Sequence, residues 1–271
     1  MTELARELTF SSRDDVKNFS CNWSAAPDED FPGVVLLGFS AHPGDPIRET
    51  RNALTSLKIQ DDTPRYNAGD INRDLKSAEV ELSNSVLELL EEQHLVVVLS
   101  DGPDTIFASH RGLRAAVGLS TIVALEAQFE LKSGSAPQKI SQLEGKQFSY
   151  ASFSFSRGTC TRGLFHTTLP PNIRVTTAAQ LAQMTPEEAA ATALESVSDQ
   201  PFIHLSIDLR VLSLLEASGI SLAHIRAVVT ALAGTGRLKL IDVLNPLPHA
   251  DAEEPLAQVA AQLIEDAVGA V

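Results

Sequence analysis

A three-layer α/β/α fold around a mainly parallel central sheet is predicted from three features of this sequence. Short, nearly continuous apolar runs, GVVLLGFS at 33–40, LVVVL at 95–99 and LKLIDVL at 238–244, alternate along the chain with longer amphipathic stretches. Runs of that kind are strands buried on both faces, and the stretches between them are the helices that cover those faces. The third feature is size: 271 residues, 44% hydrophobic, with no Pro/Gly/Ser-rich linker or break in composition. That is enough chain for a full core in one large domain, residues 1–271.

The elements follow in order. Residues 1–32 are polar and rich in turn formers, which reads as an irregular arm. Gly33 to Ser40 is the first buried strand, AHPGDP a loop, and Ile47 to Leu57 a helix with Arg48, Arg51 and Asn52 on its polar side. Tyr66 to Ile71 reads as a loop or short extended piece. From Asp74 to His94 the apolar positions Leu75, Ala78, Leu82, Val86, Leu89 and Leu90 recur every three or four residues, the mark of an amphipathic helix packed on a sheet. The strand at Leu95–Leu99 runs into the turn and helix of SDGPDTIFASHRGL, which Asp104 or Asp101 is placed to cap. A strand at Thr121–Leu125, a polar loop and an alternating strand at Phe148–Phe155 come next. Thr185-Pro186-Glu187-Glu188 is a capping box with proline at the first helical position. A strand at Phe202–Asp208, a helix at Leu222–Leu232, the strand at Leu238–Leu244 and a closing helix at Pro255–Val268 complete the chain.

Composition narrows the function. A net charge of −14, from 35 acidic against 21 basic residues, argues against a nucleic-acid partner or an anionic membrane surface. No apolar run approaches the roughly 20 residues needed to span a bilayer. Two cysteines without CxxC spacing, Cys21 and Cys160, and a start that does not resemble a signal peptide fit a reducing, cytoplasmic location. The chemistry concentrates after the strand at Thr121–Leu125. There Glu126, Gln128 and Glu130 fall at i, i+2 and i+4, and in extended chain they point to one side. Polar groups converging where a buried strand leaves a parallel sheet mark the usual place of an α/β active site.

The order and spacing of GFSAHPGD, YNAGDI, SDGPD, LEAQFEL, SIDLR and DVLNP resemble the ureohydrolase family of arginase, agmatinase and formimidoylglutamase, most of all formimidoylglutamase. The resemblance covers most of the chain. It implies an arginase-like α/β/α fold and a pair of manganese ions at the carboxyl ends of the strands, whose bridging hydroxide attacks a guanidinium or formimidoyl carbon. It also implies a trimer or hexamer, or a partnership with an active homologue.

Position by position, most of that metal site is altered. Where the family's GGxH turn carries histidine this chain has Pro103, and where DAHxD gives two aspartates and a histidine it has Glu126, Gln128 and Glu130. The SxDxD motif keeps Asp208 but places Arg210 second, and Val243 stands where an acidic residue precedes the family's NP, with Asp242 beside it. Without divalent cations the carboxylates would repel one another, and Arg210 is suited to replace the metal charge by pairing with Asp208 and one glutamate.

The leading reading is therefore a pseudoenzyme with no cofactor, acting as a binding, regulatory or oligomer-forming subunit. The alternative is a C–N hydrolase of formimidoyl or guanidino compounds that keeps a weakened manganese site. A third is metal-free catalysis by Glu126, Glu130 and Arg210 on a small-molecule ligand. Glu126, Glu130, Asp208 and Arg210 are the candidate catalytic group, and the weakened metal site of the alternative would be built from Glu126, Glu130, Asp208 and neighbours such as Asp101 or Asp104. Gln128, the loop serines Ser133 and Ser135, and Asp104 beside Pro103 are the candidate ligand contacts. His110 and His204, outside any HxH or HxxxH spacing, read as satisfied core residues.

Overall fold

The computed structural model describes residues 23, 27–40, 45–57, 61–127, 129, 134–155, 172–212, 219–244 and 256–271. In chain order they form β1 (Val34–Ser40), α1 (Asp45–Ser56), β2 (Arg65–Asn72), α2 (Ala78–Glu91), β3 (Leu95–Ser100), α3 (Thr105–Val117), β4 (Ser120–Leu125) and α4 (Ala136–Glu144). The second half gives β5 (Tyr150–Phe155), β6 (Ile173–Thr177), α5 (Ala178–Leu181), α6 (Pro186–Ser196), β7 (Phe202–Asp208), α7 (Leu222–Ala233), β8 (Leu238–Leu244) and α8 (Leu256–Val268).

The eight strands form one sheet in the order β2-β1-β3-β8-β7-β4-β5-β6. Every neighbouring pair is parallel. Both faces are covered because both are apolar. On one, Val35, Leu37, Val96, Val98, Ile122 and Ala124 meet α2, α3 and α4. On the other, Leu36, Val97, Val123, Leu205, Ile241 and Val243 meet α6, α7 and α8. This is the three-layer α/β/α architecture expected. Among the described residues no helix is long and apolar enough to cross a membrane.

The differences from the sequence reading lie mostly at the margins of the sheet. Tyr66–Ile71, read as a loop or short extended piece, is extended and belongs to β2, an edge strand whose Asn67, Gly69 and Asp70 hide its periodicity. Gly69 takes φ 83°, and Asp70 is neutralised by Arg51 at 2.5 Å. That ion pair leaves no room on β1: a Cβ on Gly38 would stand 1.9 Å from Asp70 Oδ1. The loop expected after β4 contains α4, a short polar helix opened by Ser135, whose side chain accepts from the Gln138 amide. The other edge strand, β6, is only partly buried, so its sequence IRVTT carries little apolar signal. The helix expected from Asp74 starts at Ala78. Asp104 stands at the N-cap of α3 but makes no side-chain capping bond, and Asp101 instead takes Ser40 Oγ at 2.8 Å and Arg73 at 2.5 Å. The capping box at Thr185 forms as read, with Thr185 N donating to Glu188 Oε2 at 2.8 Å.

One ion-pair cluster ties the edge of the sheet to the last helix. Arg65 of β2, its side chain 2% exposed, binds Glu265 of α8 at 2.8 Å and Asp61 at 2.9 Å. Burial works against its charge, but the hydrogen bonds it donates to Asp61 and Glu265 outweigh that, and the same contact with Arg65 holds Asp61 well below the ordinary carboxylate range. Arg65→Leu is predicted to lower unfolding stability by about 3 kcal/mol, because Glu265 is left part-buried without its partner. Denaturant unfolding monitored by circular dichroism checks this, and a loss below about 1 kcal/mol would show the cluster to be ornamental.

Candidate functional site

The candidate site lies where β4 and β7 end side by side. Leu125 and Ile207 are register partners, so Glu126 and Asp208 follow on neighbouring strands. The backbone N–H of Glu126 donates to Phe153 O at 3.1 Å, which ties the segment to β5. Two hydroxyls from β5 then fix the Glu126 carboxylate: Ser152 Oγ at 2.6 Å and Tyr150 Oη at 3.2 Å, both donating to Oε1. Tyr150 stays a donor because burial drives its pKa far up, with Glu126 and Asp208 adding to the effect. Phe129, itself buried, packs its ring 5.7 Å from that of Tyr150.

Asp208 is held differently. Its Oδ1 accepts from the Arg210 amide at 3.0 Å, a tight local turn, and the Arg210 side chain folds back onto the same carboxylate. Nε lies 3.0 and 2.9 Å from the two oxygens and Nη2 lies 2.5 Å from Oδ2. The Asp208 side chain is 7% exposed and that of Arg210 47%. Pairing of Asp208 with Arg210 is as the charge argument expects; the described partners of Glu126 are the hydroxyls of Tyr150 and Ser152.

A second guanidinium stands over the turn after β3. Arg73 meets Asp101 at 2.5 Å, and its Nη1 lies so near Gly102 that a Cβ there would come within 2.6 Å. Next to it Pro103 is exposed and supplies no ligand atom. Of the remaining expected contacts, Asp104 is exposed at the start of α3, and Ser135 caps α4. Gln128, Glu130 and Ser133 lie outside the described residues. Tyr150 and Ser152 were not anticipated. Their signal was present in the alternation of FSYASFSF, which puts both on one face of β5.

Among the described residues no group of three or more His, Cys, Asp or Glu side chains is arranged to hold an ion. Asp208 is engaged by a guanidinium, and Glu126 accepts from two hydroxyls. As they stand, the described residues do not fit a pair of manganese ions.

No protein-family model matches the sequence. A formimidoylglutamase of Corynebacterium efficiens is 35% identical over 269 residues, covering 89% of this chain and 85% of that protein. Among solved structures, a formimidoylglutamase from Bacillus subtilis superposes with a TM-score of 0.77 at 14% identity, over 97% of this chain and 94% of that one. A formiminoglutamase of Trypanosoma cruzi, solved with Mn2+, superposes with a TM-score of 0.73 at 18% identity, over 90% and 94%. That last finding corrects the expectation that no cofactor is involved. Lost ligand positions alone point to no cofactor, whereas a protein of this fold has been solved with manganese.

If Arg210 and a metal compete for Asp208, removing the guanidinium must strengthen metal binding. Arg210→Ala is predicted to tighten Mn2+ binding by at least about tenfold, roughly 1.4 kcal/mol, in a titration followed by electron paramagnetic resonance. Equal affinity in the two proteins would mean that the pair does not guard this carboxylate.

Proposed function

The chain belongs to the ureohydrolase family, with the formimidoylglutamases, and from that premise we propose that it hydrolyses a C–N bond in a linear amidine, a formimidoyl or guanidino compound, at the carboxylates that follow β4 and β7. The observation that carries this reading is the 35% identity to a formimidoylglutamase across 89% of the chain. It is supported by the two carboxylates at the ends of β4 and β7, where an α/β sheet presents its ligands.

Each residue has a role that follows from its surroundings. An amidine is a cation near neutral pH, so Glu126 and Asp208 draw it to the strand ends. With its orientation set by Tyr150 and Ser152, Glu126 is the group placed to take a proton from the attacking water. It returns that proton to the departing nitrogen, general acid and base in turn. The positive charge of Arg210, its side chain 47% exposed beside Asp208, favours a substrate that carries a carboxylate.

The engagement of Asp208 by Arg210 also favours a second reading, in which the site binds such a compound without turning it over. Supplied with Mn2+ and N-formimidoyl-glutamate or a guanidino acid, the protein is predicted to release the nitrogenous product. Glu126→Gln is predicted to lower kcat/KM by about 100-fold or more while the circular dichroism spectrum is unchanged. Calorimetric binding of these compounds with no product formed would reject hydrolysis in favour of the second reading.

A further inference from the structure

Four ionisable side chains that the proposed reaction leaves unused lie in a line on the α3 side of the sheet. Asp242 Oδ2 is 2.8 Å from His204 Nε2, His204 Nδ1 is 3.2 Å from His110 Nδ1, and His110 Nε2 is 3.0 Å from Glu144 Oε1. The first three residues are 0% exposed and Glu144 is 8% exposed, so water does not complete these contacts. The two imidazole planes are 18° from parallel. At the inner end the Ser109 hydroxyl donates to Asp242 Oδ2 at 2.7 Å, and at the outer end Arg114 Nε lies 3.5 Å from Glu144. The line joins β8, β7, α3 and α4. It runs beneath the candidate site, since His204, Ser206 and Asp208 share one face of β7 and Asp242 is the register partner of Ser206.

Counting hydrogens gives the line its consequence. Each of the three contacts needs one hydrogen between its heavy atoms. A carboxylate brings none and a neutral imidazole brings one, so the four groups in their ordinary states supply two. One contact would then set lone pair against lone pair in a dry interior, where an unmade hydrogen bond is costly.

We propose that Asp242, His204, His110 and Glu144 capture one proton from solution, and that this proton fastens α3 and α4 to β7 and β8 beneath the site. The balance is simple: one hydron enters from water, the net charge of the line goes from two negative to one negative, and no covalent bond to carbon changes. Burial pushes His110 towards its neutral form, opposed by its hydrogen bond to Glu144, and the other ionisable groups acting on it are His204 and Asp242. Arg114, behind Glu144, is the remaining charge that faces the line.

The sign follows from linkage. Above the ordinary histidine pKa of about 6.5 the unfolded chain carries one proton fewer on these four groups than the folded chain, so stability falls as pH rises from there. The loss approaches about tenfold in the folding equilibrium per pH unit. Glu144→Gln tests this without removing the line, because the amide brings its own N–H to His110 and the third hydrogen no longer has to be captured. Asp242→Asn does the same from the inner end.

The experiment is denaturant unfolding of the full chain and both variants across roughly pH 7 to 9. The expected result is a folded Glu144→Gln protein whose stability lacks the downward slope of its parent, with Asp242→Asn behaving alike. A parent with no slope in that window, variants that keep the parental slope, or failure of both variants to fold would each overturn the proposal. Because the readout is stability, the outcome does not depend on whether the protein hydrolyses an amidine.

Discussion

A parallel sheet whose two faces are both dry has almost nowhere to keep a charge, and this constraint arranges the rest of the molecule. The central strands β1, β3, β8, β7 and β4 are apolar along most of their length, and their inner residues are fully buried. Charged side chains are therefore pushed to the edges and the strand ends. Arg65 pairs on the edge strand, Arg51 pairs with Asp70 beside it, Arg73 pairs with Asp101 after β3, and Arg210 pairs with Asp208 after β7. The exception is the line from Asp242 to Glu144, which crosses the interior and is tolerated there only as a connected set of hydrogen bonds.

At the strand ends the same logic becomes chemistry. A carboxylate at the mouth of such a sheet needs a positive partner, and either a divalent cation or a guanidinium can be that partner. Proteins of this family have been solved with Mn2+; here Arg210 lies on the Asp208 carboxylate with three side-chain contacts no longer than 3.0 Å. Arginine suits this because its planar fork matches a carboxylate and it does not lose its proton. Glu126 is treated the opposite way: it is left facing the site while two neutral hydroxyls hold its geometry.

Much of this was legible in the sequence, for identifiable reasons. Central strands such as LVVVL and LKLIDVL announce themselves because burial on both sides forces continuous apolar composition. The edge strands β2 and β6 do not, since one side of each is free to be polar. The motifs SIDLR and LEAQFEL marked Asp208, Arg210 and Glu126 by position, and the charge argument anticipated the Asp208–Arg210 pair. What could not be read was contact between distant segments: Tyr150 and Ser152 reaching Glu126, or His110 meeting His204 across 94 positions. Scattered histidines carry no spacing signal when their partners are brought by packing rather than by a shared turn. Altered ligand positions likewise do not tell whether a cofactor binds, since a relative of this fold has been solved with Mn2+.

The central claim is that Arg210 and a divalent cation contend for one carboxylate. Crystals of the protein soaked in Mn2+ and measured at the manganese absorption edge address it directly. The account predicts that wherever anomalous density appears against Asp208, the Arg210 side chain has swung off that carboxylate. Manganese bound to Asp208 with the Arg210 guanidinium still in place on both oxygens would contradict it.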